Sequence, residues 1–304
     1  LLYHQICVFI TTLGDNRVHF SFKGFILSLA LIISGALSAS VFAQTAPATG
    51  QPTPQASPQA TPVITAPKPG DKPRKGDKNA PPVVATAEQV AEGSLIIYGG
   101  RGGWSQVGRT RLEHGNMSIT NADGSVDSAK YEKRVIRGEN TDKDKRRVDE
   151  KFPSVEFALV YNTKIFGLLN DSVFTPRQDA LSSFESQMYH GLDAMMRYKE
   201  NESKLDLGEK QKILGVEYYV LEVTDKSGRK TRFFVSVRSL RVMMLEYTEN
   251  SVKYTRKFGD YRVAQGLLVP FKTTLLADDK QIEESSISTV TFGQKVDDSY
   301  FNES

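Results

Sequence analysis

Residues 216–258 read VEYYVLEVTDKSGRKTRFFVSVRSLRVMMLEYTENSVKYTRKF, and this stretch decides the fold. It holds four runs rich in β-branched and aromatic residues, 216–224, 230–237, 242–247 and 252–258, which is strand chemistry. The breaks at Asp225-Lys226-Ser227-Gly228 and Glu249-Asn250-Ser251 are short enough for hairpins. No helix long enough for a parallel crossover lies between the runs, so the sheet is antiparallel. Tyr218 to Leu221, Phe233 to Val235 and Val242 to Leu245 are apolar on both faces, which requires both faces of the sheet to be covered.

Working outward, strands are expected downstream at 261–264, 271–277 and 280–291, and upstream at 203–207 and 211–214. Before them, Thr175-Pro176-Arg177-Gln178 presents a capping hydroxyl, a proline for the first helical position and a glutamine for the third. Leu181, Phe184, Met188, Leu192, Met195 and Met196 then recur at spacings of three and four, giving a helix with one apolar face that Gly191 can split in two. Further strands are expected at 109–114, 116–120, 129–137, 146–151, 155–161 and 164–168. A short helix at 87–93 is expected to run into a strand at 95–98 and a glycine loop at 99–103. The fold class is α+β: a strongly curved antiparallel sheet, an unclosed barrel, with helices packed on or plugging its concave face.

Upstream of this region the composition changes twice. The segment 25–37, FILSLALIISGAL, follows Arg17 and Lys23 and ends in Ser38-Ala39-Ser40-Val41-Phe42-Ala43, the pattern of a signal peptide cut after Ala43. The alternative is an uncleaved anchor over 25–43. The residues before Arg17 exceed what a signal peptide needs, so an over-long N-terminus is expected. Residues 44–83 hold ten of the 13 prolines and almost no large apolar side chain, which makes them a disordered or polyproline-like linker. Its basic end, 68–78, reads either as a contact with an anionic envelope surface or as plain solvated chain. Residues 84–304 form a single domain.

The chain has 304 residues and a formal charge of +3, but 84–304 carries 32 basic and 33 acidic residues. The basic excess belongs to the front tract, so no nucleic-acid footprint falls on the folded part. Cys7 is the only cysteine, which removes disulfides, thiolate metal sites and catalytic thiols from the domain. No G-x-S-x-G, H-E-x-x-H or phosphate-loop motif occurs. His114 and His190 have no partner at a recognisable ligand spacing and read as solvated or core-edge histidines, His190 on the polar side of its helix. The run Asp142-Lys143-Asp144-Lys145-Arg146-Arg147 reads as a solvated turn, and Trp104 as buried beneath the glycine loop. No catalytic residue, metal or cofactor is assigned.

Tyr261-Arg262-Val263-Ala264-Gln265-Gly266-Leu267-Leu268-Val269-Pro270-Phe271, then 287–292 (ISTVTF) and 296–301 (VDDSYF), resemble the close of bacterial envelope proteins with the lipoprotein-carrier fold (LolA/LolB/RseB-like), and the run 215–258 fits the same pattern. The resemblance covers 203–301. Residues 84–170 depart from it, which leaves the completeness of the barrel open. The chain also resembles uncharacterised secreted acidobacterial proteins in which FTPRQ, GLDAMMRYKENES and YRVAQG recur. The carrier resemblance implies an unclosed barrel with helices in its mouth and a hydrophobic cavity between them. Phe184, Met188, Met195, Met196, Phe233, Val235, Met243 and Leu245 are the candidate walls, with an ordinary dry core as the bland alternative. The function expected is a secreted, periplasmic or envelope binding module for a lipid, a lipoprotein acyl chain or another apolar ligand, without enzymatic activity. The alternative is a structural or regulatory envelope protein–protein interaction domain with a filled core.

Overall fold

A computed structural model describes residues 85–303, so the readings of the front tract and linker lie outside the described residues. Helix α1, Ala87–Ile97, opens with a capping box in which Thr86 and Gln89 satisfy each other's backbone N–H groups. It continues through 95–97, with Tyr98 as its C-cap, where a strand over 95–98 was expected. Ala87, Val90, Ala91, Ser94 and Leu95 are buried at helical spacing, whereas Ile96 is 70% exposed. A four-residue apolar run is ambiguous between the two periods, and here the capped helix decides it. Gly99 (φ 113°) turns the chain into α2, Gly100–Gln106, a helix where a loop was expected. A Cβ on Gly99 would stand 2.6 Å from Leu267 Cδ2, so the close approach as well as the left-handed φ requires glycine. Trp104 is buried there, and its Nε1 donates to the Tyr98 carbonyl at 3.1 Å.

The strands are β1 (Thr110–Thr120), β2 (Val126–Ile136), β3 (Lys145–Lys151), β4 (Glu156–Asn162), β5 (Lys164–Leu169), β6 (Ser172–Phe174), β7 (Lys204–Leu207), β8 (Gln211–Ile213), β9 (Val216–Thr224), β10 (Lys230–Ser236), β11 (Val242–Glu249), β12 (Val252–Ala264), β13 (Leu267–Ala277) and β14 (Lys280–Phe292). They form one 14-stranded antiparallel sheet in the order β6-β5-β4-β3-β2-β1-β14-β13-β12-β11-β10-β9-β7, with β8 also pairing β9. The sheet does not close, and β6 and β7 stand at the two ends of that order. The pairing of β1 with β14 resolves what was left open for residues 84–170: they supply five strands, β1 to β5, that extend the C-terminal meander. Gly115 allows the register shift of that pairing, because a Cβ there would lie 2.3 Å from the Ser286 carbonyl oxygen. Hairpin turns fall where the sequence places them, with Asn250-Ser251 and Asp278-Asp279 in left-handed backbone.

The helix expected from Thr175 begins at Gln178, with Arg177 in the N-cap position and no side-chain cap. It is divided as read: α3 is Gln178–Tyr189, α4 is Leu192–Met196, and Gly191 lies between them. Both helices face the concave side of the sheet. α4, α1 and α2 cover an apolar core over β9–β13 that includes Leu221, Phe233 and Leu245, all fully buried. α3 covers a second core over β3–β6, built on Phe157, Leu159, Tyr161, Phe184 and Met188. On the convex side, the C-terminal turn Asp298–Phe301 puts the fully buried Phe301 against Ala158, Val160, Phe166 and Leu168. Among the described residues no helix is long and apolar enough to cross a membrane.

Candidate functional site

Between the two concave cores the inward face of the sheet changes character. One cross-strand row runs Leu221, Phe233, Leu245, Arg256, Leu275, Glu283, Ile119 from β9 to β1. The first three are core, and from Arg256 onward charged and apolar side chains alternate. A second row, further along β1 and β14, runs Val290, Glu113, Lys133, Val148, Leu159 from β14 to β4. The sheet therefore carries charge at its centre, on the side covered by helices.

Two cavities occupy this region. The outer one, about 350 Å³, opens between the polar flank of α3 (Gln178, Ser182, Ser183, Ser186) and a wall made by Ile119, Tyr247, Tyr254, Leu275 and Ile282. Ser186 donates to Glu249 at its rim, tying α3 to the end of β11. The inner one, about 160 Å³, lies beneath Gly191 and the start of α4, over Arg111, Glu113, Tyr131 and Lys133. Arg256 and Glu283 line both cavities, so they stand where the two meet.

The electrostatics of the inner end are uneven. Burial opposes ionisation of Glu113, but Arg111, Lys133 and a 2.6 Å hydrogen bond from the Tyr131 hydroxyl outweigh it and hold the carboxyl below its usual range. Burial pushes the Lys133 ammonium down to about 8, with Glu113 offsetting only part of the effect. Glu283 is pushed up by burial, against the charges of Arg256 and Lys133. Glu150, on β3 and buried, is pushed up to about 8 by burial and then by Glu283, and its Oε2 has no hydrogen-bond partner. Arg256 Nε is likewise buried without an acceptor.

A second polar cluster holds α4 to the sheet. Asp144 accepts two 2.9 Å hydrogen bonds from Arg197 Nη1 and one of 2.7 Å from Arg146, and its Oδ1 caps the Gly138 N–H. Asp193 pairs with Arg137, whose guanidinium lies 4.3 Å from the Trp104 ring centre. Burial opposes the Asp193 charge, but Arg137, Arg146 and Arg197 hold its carboxyl well below the usual range. The reading of 142–147 as a solvated turn is thereby corrected. Asp144 and Arg146 are buried because Asp144, which pairs with Arg146, also takes Arg197 from 53 residues along the chain.

His190 also departs from its expected place. It is buried, stacked on Tyr247 at 4.2 Å, and its Nδ1 lies 2.7 Å from Thr231 Oγ1. Burial, then Arg229 and Arg256, push it down to about 4, so the ring is neutral near pH 7. His114 is half-exposed, with Nδ1 3.4 Å from Glu132. Thus His190 meets a hydroxyl and His114 a carboxylate, and among the described residues neither meets both. Among the described residues no group of three or more His, Cys, Asp or Glu is placed to hold a metal ion.

The eight side chains named from sequence do not share one wall. Phe184 and Met188 lie in the α3 core, and Met195, Phe233, Val235 and Leu245 are packed in the larger core. Met196 belongs to that core and also borders the inner cavity. Met243 is the extra residue of the bulge between β10 and β11 and packs with Tyr218, Val220 and Phe234 in a separate cluster.

Sequence reasoning missed the charged floor, yet a signal was present. Successive strand residues point to opposite faces, so adjacent like charges within a strand must deliver one charge inward. Lys133-Arg134, Arg146-Arg147, Arg256-Lys257 and Glu283-Glu284 are four such pairs. In each the first residue lines the inner cavity, while Arg134 and Arg147 meet the Tyr300 ring, Lys257 is exposed and Glu284 pairs with Lys272.

No protein-family model matches the sequence, and no curated relative is detected. Solved structures do match. A DUF1329 family protein from Desulfovibrio piger is similar over 72% of this chain and 98% of its own, at 13% identity and a TM-score of 0.53. A LolA superfamily protein from Nitrosomonas europaea is similar over 72% and 98%, at 14% identity and a TM-score of 0.50. A putative outer membrane lipoprotein-sorting protein domain from Vibrio parahaemolyticus aligns over 72% and 96% at 16% identity, with a TM-score of 0.49. At these identities the likeness is one of fold, and the fold is LolA-like.

Proposed function

We propose that the domain is a non-enzymatic binding module of the bacterial envelope, exported to the periplasm, that holds a lipid or another acyl-bearing amphiphile between α3 and the concave face of the sheet. The observation that carries this reading is the outer cavity of about 350 Å³, which has aliphatic and tyrosine walls and ends on charged groups. Its volume is within the range of small-molecule sites, roughly 300–1,000 Å³. The LolA-like fold supports the reading by analogy of architecture. The ligand expected from sequence was apolar. The polar floor favours a molecule with an apolar tail and a polar head, because burying Arg256 and Glu283 against hydrocarbon alone would leave charges unsolvated.

Titration of the full chain with N-phenyl-1-naphthylamine, an environment-sensitive apolar probe, tests the proposal. Saturable fluorescence enhancement is expected in the wild type and its loss in Leu275→Trp, which fills the cavity. No enhancement in a folded wild-type protein contradicts it. The competing reading, a protein–protein interaction domain with a filled core, draws on one observation: Ile96 and Val263 are each 70% exposed and Leu214 99%.

A further inference from the structure

We infer that the inner cavity is an anion site, which takes the carboxylate or phosphate head of the amphiphile between Lys133 and Arg256. This rests on the amphiphile reading above and extends it to the class of head group.

The inner cavity is lined by four cations and three carboxylates. Arg111 is paired with Glu113, and Arg146 lies 2.7 Å from Asp144 and 3.6 Å from Asp193. Among the described residues Lys133 and Arg256 make no ion pair within 4 Å, and Glu283 is the inner-cavity carboxylate left without one. One carboxylate cannot neutralise two cations, so positive charge is in excess even when every lining carboxylate is ionised. Arg256 Nε, buried without an acceptor, adds an unused donor on a guanidinium that stands at the junction of the two cavities. A bound oxyanion would supply acceptors to that guanidinium and a counter-charge to Lys133. An alkyl chain attached to it would leave through the outer cavity along Leu275 and Ile119.

The opposite polarity, an ammonium head on Glu283 and Glu150, is disfavoured by burial. Both carboxyls are pushed up, and Glu150 to about 8 is mostly neutral at pH 7.

Calorimetric titration of the full chain with dodecanoate, dodecyltrimethylammonium and dodecyl maltoside, each below its micelle concentration, with acetate as the free anion, tests the inference. Dodecanoate is expected to bind about tenfold or more tightly than the other two, as one charge-assisted contact implies, and acetate not measurably. Lys133→Met and Arg256→Met should abolish that preference, so that dodecanoate binds no more tightly than dodecyl maltoside to the same variant. Arg256→Lys should restore part of it, and Lys257→Met, on an exposed neighbour, should leave it intact. Equal binding of the three dodecyl compounds, or preference for the cationic one, overturns the anion site and leaves the amphiphile reading standing. Acetate binding as tightly as dodecanoate overturns the assignment of the anion to an amphiphile. Binding by none overturns both, and the wild-type series decides these outcomes even where a methionine variant fails to fold.

Discussion

Replacing Glu150 by glutamine should stabilise the protein, and by an amount that grows with pH. Glu150 is 5% exposed, its Oε2 has no hydrogen-bond partner, and no cation lies within ion-pair distance among the described residues. Burial, with the Glu283 charge behind it, raises its carboxyl from 4.5 to about 8. The folded protein therefore keeps a proton that the unfolded chain releases above pH 4.5, so stability falls as pH rises from there to about 8 and then levels off. At about 1.4 kcal/mol per unit, the penalty is under about 1 kcal/mol at pH 5, about 3 kcal/mol at pH 7 and nearer 5 kcal/mol above pH 9. Glutamine mimics the neutral acid and does not titrate. Urea unfolding of wild type and Glu150→Gln at pH 5, 7 and 9 measures the gap. A gap that opens with pH in favour of glutamine agrees with the reasoning. A gap independent of pH, or a glutamine variant less stable than wild type at pH 9, refutes it.

Truncating Arg197 to methionine should cost about 1.5–3 kcal/mol of unfolding free energy in urea, because the fully buried Asp144 carboxylate loses its Arg197 hydrogen bonds and keeps only Arg146 and the Gly138 N–H. Phe301→Ala should cost about 3–5 kcal/mol by the same measurement, since the ring is fully buried on the convex face between β4 and β5. Gly99→Ala should destabilise through both its φ of 113° and the Leu267 contact, whereas Gly124→Ala, with open space around it, should carry only the strain of its φ, so the first thermal midpoint should fall further. Dodecanoate affinity should decline above pH 8 by up to about tenfold per unit, as binding has to return the proton that Lys133 loses there. Of the charges facing Lys133, Glu113 and Asp193 raise its pKa and Arg111 and Arg146 lower it, and in calorimetry Lys133→Met should remove the decline.

The sheet was legible because its information is local. Period-two runs and the turn pairs Asn250-Ser251 and Asp278-Asp279 specify hairpins between neighbours in sequence. The split of the long helix was legible for the same reason, Gly191 interrupting a spacing of three and four. Leu95 to Tyr98 was misread because four apolar residues fit either period, and the Thr86 capping box that settles the matter lies nine residues earlier. What hides from sequence is the choice of face. Phe184 and Met196 are both buried apolar residues of one helical stripe, yet one belongs to the α3 core and the other borders a cavity. Periodicity reports that a side chain is covered and says nothing of what covers it. The adjacent like charges of β2, β3, β12 and β14 were the informative pattern. Their inward members were pushed into the domain because strand geometry gave them no other direction.

Methyl NMR of the full chain, titrated with dodecanoate, tests the account most directly. The account predicts saturable shifts of the Leu275, Ile119 and Ile282 methyls in the outer cavity, with little change at Val220 and Leu168, which pack in clusters away from it. Shifts confined to exposed Leu214 or Ile96, or no shift at any dodecanoate concentration below its micelle concentration, would contradict it.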